Sequence, residues 1–146
     1  FFFRAGGLAN ISPMFEPSLS LAAGGQKSTL LERVENIGDK IVKAHHLGPD
    51  NLLVITSAYG INACSIDAAV EAKRRGCKVI AISSVAFAEA TPRDFLARHS
   101  NQKNLGEIAD VIIDNHVPHG ETLLKLDDYA QKVGGTCNVL AGDGSD

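Results

Sequence analysis

Three short stretches of this chain are continuously apolar and rich in β-branched residues: residues 52–56 (LLVIT), 78–83 (KVIAIS) and 110–113 (DVII). A strand with one face in water alternates apolar and polar side chains. Unbroken apolar runs of this length belong instead to strands covered on both faces, the habit of parallel sheets. Between the first two runs, residues 63–75 carry Ile66, Ala69 and Val70 at helical spacing, Glu71 four positions before Arg75, and Gly76 as a C-terminal stop. Strand, helix, strand, helix, strand with short connections implies right-handed βαβ units. The expected class is therefore α/β, a three-layer sandwich in which helices flank a parallel sheet.

The flanking segments are less regular. Leu30, Val34, Ile37, Ile41 and Ala44 repeat at helical spacing, and Thr29 with Glu32 fits a capping box, so one helix is expected over residues 28–46. In the crossover 91–109, Pro92 can open a helix that the polar run 98–104 (RHSNQKN) interrupts, which predicts a broken helix or a helix and loop. Residues 8–15 (LANISPMF) read as a fourth strand, with Pro13 near its end. Phe1 to Ala5 resemble the last turn of a helix entered halfway, and the run from Val139 stops at GDGSD. The chain therefore reads as one domain, residues 1–146, cut at both ends.

Composition narrows the function. A net charge of -3 without a Lys/Arg cluster interleaved with aromatics gives no footprint for nucleic acid. Cys64, Cys77 and Cys137 are odd in number, widely spaced and without a Cys-x-x-Cys pair, which supports neither a disulfide framework nor zinc and points to a reduced cytoplasm. No apolar run approaches a membrane span, and the N-terminal FFF is too short for a signal-peptide core.

In open parallel sheets ligands bind beyond the carboxyl ends of the strands, so the three strand-end loops are the places to look. The first offers Thr56, Ser57, Tyr59 and Asn62, with Gly60 allowing close backbone approach and a helix N-terminus following. A phosphate or sugar acid suits such a corner. The plainer alternative is that Asn62 caps the helix and Gly60 turns the chain. The second loop presents Ser83 and Ser84, either as sugar-hydroxyl contacts or as ordinary turn residues. Arg98, His99, Ser100 and Lys103 form a cationic polar patch of the kind that is usually a solvated loop. After the third strand, DNHVPHGET brings His116, His119 and Glu121 to the same sheet edge, an imidazole and a carboxylate as acid-base chemistry requires. His-x-x-His without a third ligand nearby does not make a metal site. Neither G-x-G-x-x-G nor G-K-[ST] is present, so no nicotinamide or ATP cofactor is expected. Cys64 in a first helical turn, lacking an evident base, reads as a small packing residue.

The stretch VITSAYGINACSIDAAVEAKRRGCKVIAISS, Val54 to Ser84, resembles SIS (sugar isomerase) domains, which carry a strand, a Ser-x-Ser-Gly loop, a helix, Ala-Lys-x-x-Gly, an apolar strand and a serine or threonine. The likeness is closer to a bacterial group of uncharacterised SIS proteins related to phosphoheptose isomerases. It runs from FRAGGL through TLLER, ARHSNQKN and ADVIIDN to KVGGT. It implies a flavodoxin-like strand order from which a first central strand is missing here, and a phosphosugar ligand bound by a homodimer or higher homo-oligomer. Ser57, Gly60 and Asn62 fall on the loop motif and Ser84 on the hydroxyl after the next strand, while Tyr59 stands where a serine is expected. The implied function is phosphosugar binding, with sugar-phosphate isomerisation as the activity. Glu121, His119 or His99 would then serve as acid or base, and Ser57, Tyr59, Gly60, Asn62, Ser83, Ser84, Ser100 and Lys103 as ligand contacts. The alternatives are a non-catalytic phosphosugar-sensing module or a dimerisation scaffold with a vestigial site.

Overall fold

A computed structural model describes residues 6–7, 9–120, 122–128 and 130–135. Its centre is a parallel sheet of three strands in chain order, β1 (Leu52–Thr56), β2 (Lys78–Ser83) and β3 (Val111–Asp114). The register pairs Val54 with Ile80 and Ile80 with Val111. The expected architecture of a parallel sheet flanked by helices is present. Its first two strands have the predicted bounds, and the third is shifted by one residue; just before it, the Asp110 carboxylate accepts the Val79 N–H at 2.8 Å and salt-bridges Lys73.

Helix α3 (Ala63–Arg74) joins β1 to β2 and packs on both. On the sheet face beneath it, Leu53, Val79, Ala81 and Ser83 are buried, and the first three join Ile66, Ala69 and Ala72 of the helix in the main core. Leu52, Val54, Val111 and Ile113 point to the other face and stand about half exposed. β1 is an edge strand, paired only with β2 among the described residues. Of residues 8–15, which read as strand, residues 9 and 10 form a turn and residues 11–15 join no ladder, so the fourth-strand expectation fails among the described residues. Pro13 has no N–H to offer a sheet.

The single helix expected over residues 28–46 is two, α1 (Gly25–Leu31) and α2 (Gly38–Ala44). The break falls at Asn36, whose φ is 67° and whose N–H donates to the Asp67 carboxylate on α3. Gly38 then passes so close to α3 that a Cβ there would sit 1.9 Å from the Cys64 carbonyl oxygen. Periodicity alone carried no sign of this, because the tie that bends the chain comes from a distant helix.

The third crossover also differs. Its helix, α4 (Val85–Ala90), lies before Pro92, with Ser84 as N-cap, and only a 3-10 turn at Leu105–Glu107 follows. The polar run between them is not a solvated loop at Arg98, which is 7% exposed. Its guanidinium donates to the carbonyls of Pro92, Ala88 and Thr91 and to the Asn104 side chain, at 2.6–2.8 Å. Arg98 therefore caps the C-terminus of α4 and folds the crossover around itself. An antiparallel hairpin of β4 (Thr122–Leu124) and β5 (Val133–Gly135) completes the described residues. Among them, no helix is long and apolar enough to cross a membrane.

Candidate functional site at the strand ends

The three strand-end loops are gathered into one rim, and Ser84 is the residue that joins them. Its N–H donates to the Ala58 carbonyl in the first loop at 3.2 Å. Its hydroxyl accepts the Phe87 N–H at 3.0 Å as the cap of α4 and donates to the Val117 carbonyl in the third loop at 2.6 Å. Ser84 is wholly buried, and its hydroxyl both accepts and donates within the protein. Beside it, the Ser83 carbonyl accepts the Asn115 N–H at 3.3 Å.

In the first loop the Ser57 N–H continues the β1–β2 ladder to the Ile82 carbonyl at 3.0 Å, and its hydroxyl oxygen accepts the Gly60 N–H at 3.1 Å. Gly60 has φ 65°, and a Cβ on it would lie 2.7 Å from Ser83 Oγ. Only glycine turns the chain this tightly over the end of β2. The Gly60 carbonyl accepts the Leu105 N–H at 2.8 Å, which seats the loop on the crossover. Asn62 occupies the N-cap of α3, yet its side chain makes no capping bond, against the plainer reading of that residue. Its backbone forms an isolated antiparallel bridge with Arg98. The Cys64 N–H in the first turn is taken by the Glu32 carbonyl at 3.0 Å.

Tyr59, the departure from the serine motif, packs on the small cluster of Ile61, Phe87 and Ala88. Its ring stacks on Phe87 with centroids 4.2 Å apart, and Phe87 in turn packs against His119 at 4.8 Å. One ring comes from each of the three strand-end segments.

The remaining candidates separate. His119 belongs to this rim, whereas His99 does not present a free nitrogen: Nδ1 accepts the Asn101 N–H at 2.9 Å and Nε2 lies 3.0 Å from the buried Asp67 carboxylate. That pattern places the proton on Nε2 and gives the imidazole a bracing role. Ser100 donates its N–H and hydroxyl to Glu35, whose carboxyl is held below its ordinary value chiefly by the Ser100 N–H. Lys103 is exposed on the same loop. Glu121 lies outside the described residues.

Burial first, and then the nearby Asp67, Glu32 and Glu16, pushes the Cys64 thiol up to about 11, so it is protonated at neutral pH. Cys64 and Ser65 help line a 380 Å³ cavity along β1, together with Met14, Phe15, Leu53 and Thr56. Ser83 and Ser84 border a second cavity, of 220 Å³, with Asn104 and Glu107. Residues that sequence reasoning missed are Phe87, Asp67 and Asn115. Asp67 had a signal, a lone carboxylate within the apolar stretch of α3. Asn115 follows β3, and its Nδ2 is buried with no hydrogen-bond partner among the described residues.

Parallel strands, an α/β crossover through α3 and a Ser-Gly-Asn corner at the strand ends define a protein of the SIS type. A family model for the SIS domain matches residues 1–84, and the chain belongs to that family. It is 42% identical over 125 residues to a UPF0309 protein of Thermoanaerobacter pseudethanolicus, covering 86% of this chain and 49% of the relative. A UPF0309 protein of Geobacillus kaustophilus is 33% identical over 123 residues, 84% of this chain and 47% of the relative. One of Shouchella clausii is 34% identical over 140 residues, 95% and 55% respectively. The chain thus spans about half the length of the curated relatives it matches.

Proposed function

We propose that this protein binds a phosphosugar at the corner of β1 and α3 and, in its intact form, acts as a sugar-phosphate isomerase of the phosphoheptose-isomerase type. The observation that carries the reading is the Asn62 side chain. It stands at the N-cap of α3 without capping it, beside Ser57 and the tightly turned Gly60. An amide, a hydroxyl and a helix N-terminus carried by one loop at a parallel-strand end suit a phosphate dianion, and membership of the SIS family supports the same ligand class. His119 or Glu121 then moves a proton between adjacent carbons through an enediolate. Assembly as a homodimer in the cytoplasm is part of the same proposal.

A second reading, a phosphosugar sensor without turnover, is favoured by the engagement of both His99 nitrogens, which removes one of three candidate bases. Thermal denaturation in the presence of a panel of sugar phosphates tests the binding step. A ligand that binds the native state alone raises the melting temperature with its concentration. No stabilisation by any sugar phosphate rejects both readings. Stabilisation without conversion, followed by NMR of the sugar, rejects the isomerase and retains the sensor.

A further inference from the structure

The turn at Arg98, His99 and Ser100 is clasped to two other parts of the chain through bonds that hold for only one charge state of the imidazole. His99 Nε2 lies 3.0 Å from Asp67 Oδ1 on α3, and Nδ1 accepts the Asn101 N–H at 2.9 Å. Asp67, itself buried, also accepts the Asn36 N–H at the break between α1 and α2. Ser100 gives its N–H and its hydroxyl to Glu35, whose Oε1 stands 3.9 Å from His99 Nδ1. The charged groups that face the ring are thus two carboxylates, Asp67 from α3 and Glu35 from the segment between α1 and α2. On its own loop, the Arg98 guanidinium is taken up by carbonyls at the end of α4 and by Asn104.

A neutral imidazole protonated at Nε2 satisfies all of these bonds. A charged one does not, because both ring nitrogens are then donors. A proton on Nδ1 strips the Asn101 N–H of its acceptor and aims a new donor at Glu35, which Ser100 already occupies. The turn must then rearrange, and Arg98, the residue before His99, is bridged through its backbone to Asn62 at the N-cap of α3. We propose that His99 is a proton-operated latch on the Asn62 corner: neutral, it holds the turn and the corner as described; protonated, it exchanges Asn101 for Glu35 and displaces the corner through the Arg98–Asn62 bridge. This rests on the phosphosugar reading only in naming that corner as the seat of a ligand, whose binding the latch would make sensitive to pH.

The test is an NMR titration of the protein without ligand from about pH 5 to pH 8, the range in which histidine changes charge, following the His99 ring and the amides of Asn101 and Asn62. The Asn101 and Asn62 resonances are expected to move with the same midpoint as the ring. In His99→Gln, whose side-chain amide still donates to Asp67, the Asn62 movement should be lost, which a merely structural role for the ring would not require. In Glu35→Gln the ring should still titrate while the Asn62 movement shrinks, so that variant decides the matter if His99→Gln does not fold. The latch is overturned if the ring keeps one protonation state throughout, if it titrates while Asn62 stays still, or if Asn62 in His99→Gln follows pH as it does in the parent. No sugar phosphate enters the experiment, so its outcome is separate from that of the ligand-stabilisation test above.

Discussion

At the residue scale, the loop after β1 shows how one position sets the shape of a site. Gly60 combines a left-handed φ of 65° with a Cβ position 2.7 Å from Ser83 Oγ and 3.1 Å from Ser83 Cβ. Gly60→Ala therefore adds backbone strain and a steric conflict with a buried serine, and should destabilise the protein by about 1–3 kcal/mol. Urea denaturation reads this directly, and an unchanged midpoint would mean that the turn relaxes freely. Tyr59 makes a related point about legibility. The sequence marks it as an anomaly in a serine position. Its resolution depends on Phe87, twenty-eight positions later, on a helix the sequence pattern did not show. Arg98 was misread for a similar reason: its acceptors are main-chain carbonyls, which carry no compositional signal.

At the element scale, β1, β2 and α3 were readable because each draws its form from a local pattern: continuous apolar runs for the strands, a helical stripe ended by Gly76 for the helix. The α1–α2 break and α4 were not, since they depend on the Asp67 tie at Asn36 and on the Ser84 cap. Helix α3 also holds its buried Glu71 between Arg74 and Arg75, whose guanidinium groups approach within 2.7 Å. Those hydrogen bonds lower its carboxyl from 4.5 to about 2. A carboxyl depressed in the folded state contributes stability above its unfolded value. That contribution is lost as pH falls through the folded one. Acid should therefore erode stability between about pH 4.5 and pH 2, and Glu71→Gln should flatten that part of the curve. An identical pH profile in the variant would assign the acid sensitivity elsewhere, with Asp110, held low by Lys73, as the next candidate.

At the scale of the whole molecule, α3 buries one face of the sheet among the described residues. Leu52, Val54, Val111 and Ile113 leave an apolar surface on the other, beside an edge strand free of charge, proline or bulge. Parallel sheets in globular proteins are ordinarily covered on both faces, and natural edges are usually blunted. The 146-residue chain by itself should bind the dye ANS and self-associate, and Val54→Lys should reduce both. Sedimentation of a strictly monomeric parent with no dye fluorescence would contradict this. The pattern of unbroken apolar strands made such a sheet legible in advance, whereas the gathering of its loops at Ser84 was not, because serine after a strand looks like any turn residue. That junction has a practical corollary for redesign. With one hydroxyl and one amide of Ser84 tying all three loops together, a graft or insertion in any one of them should shift its neighbours.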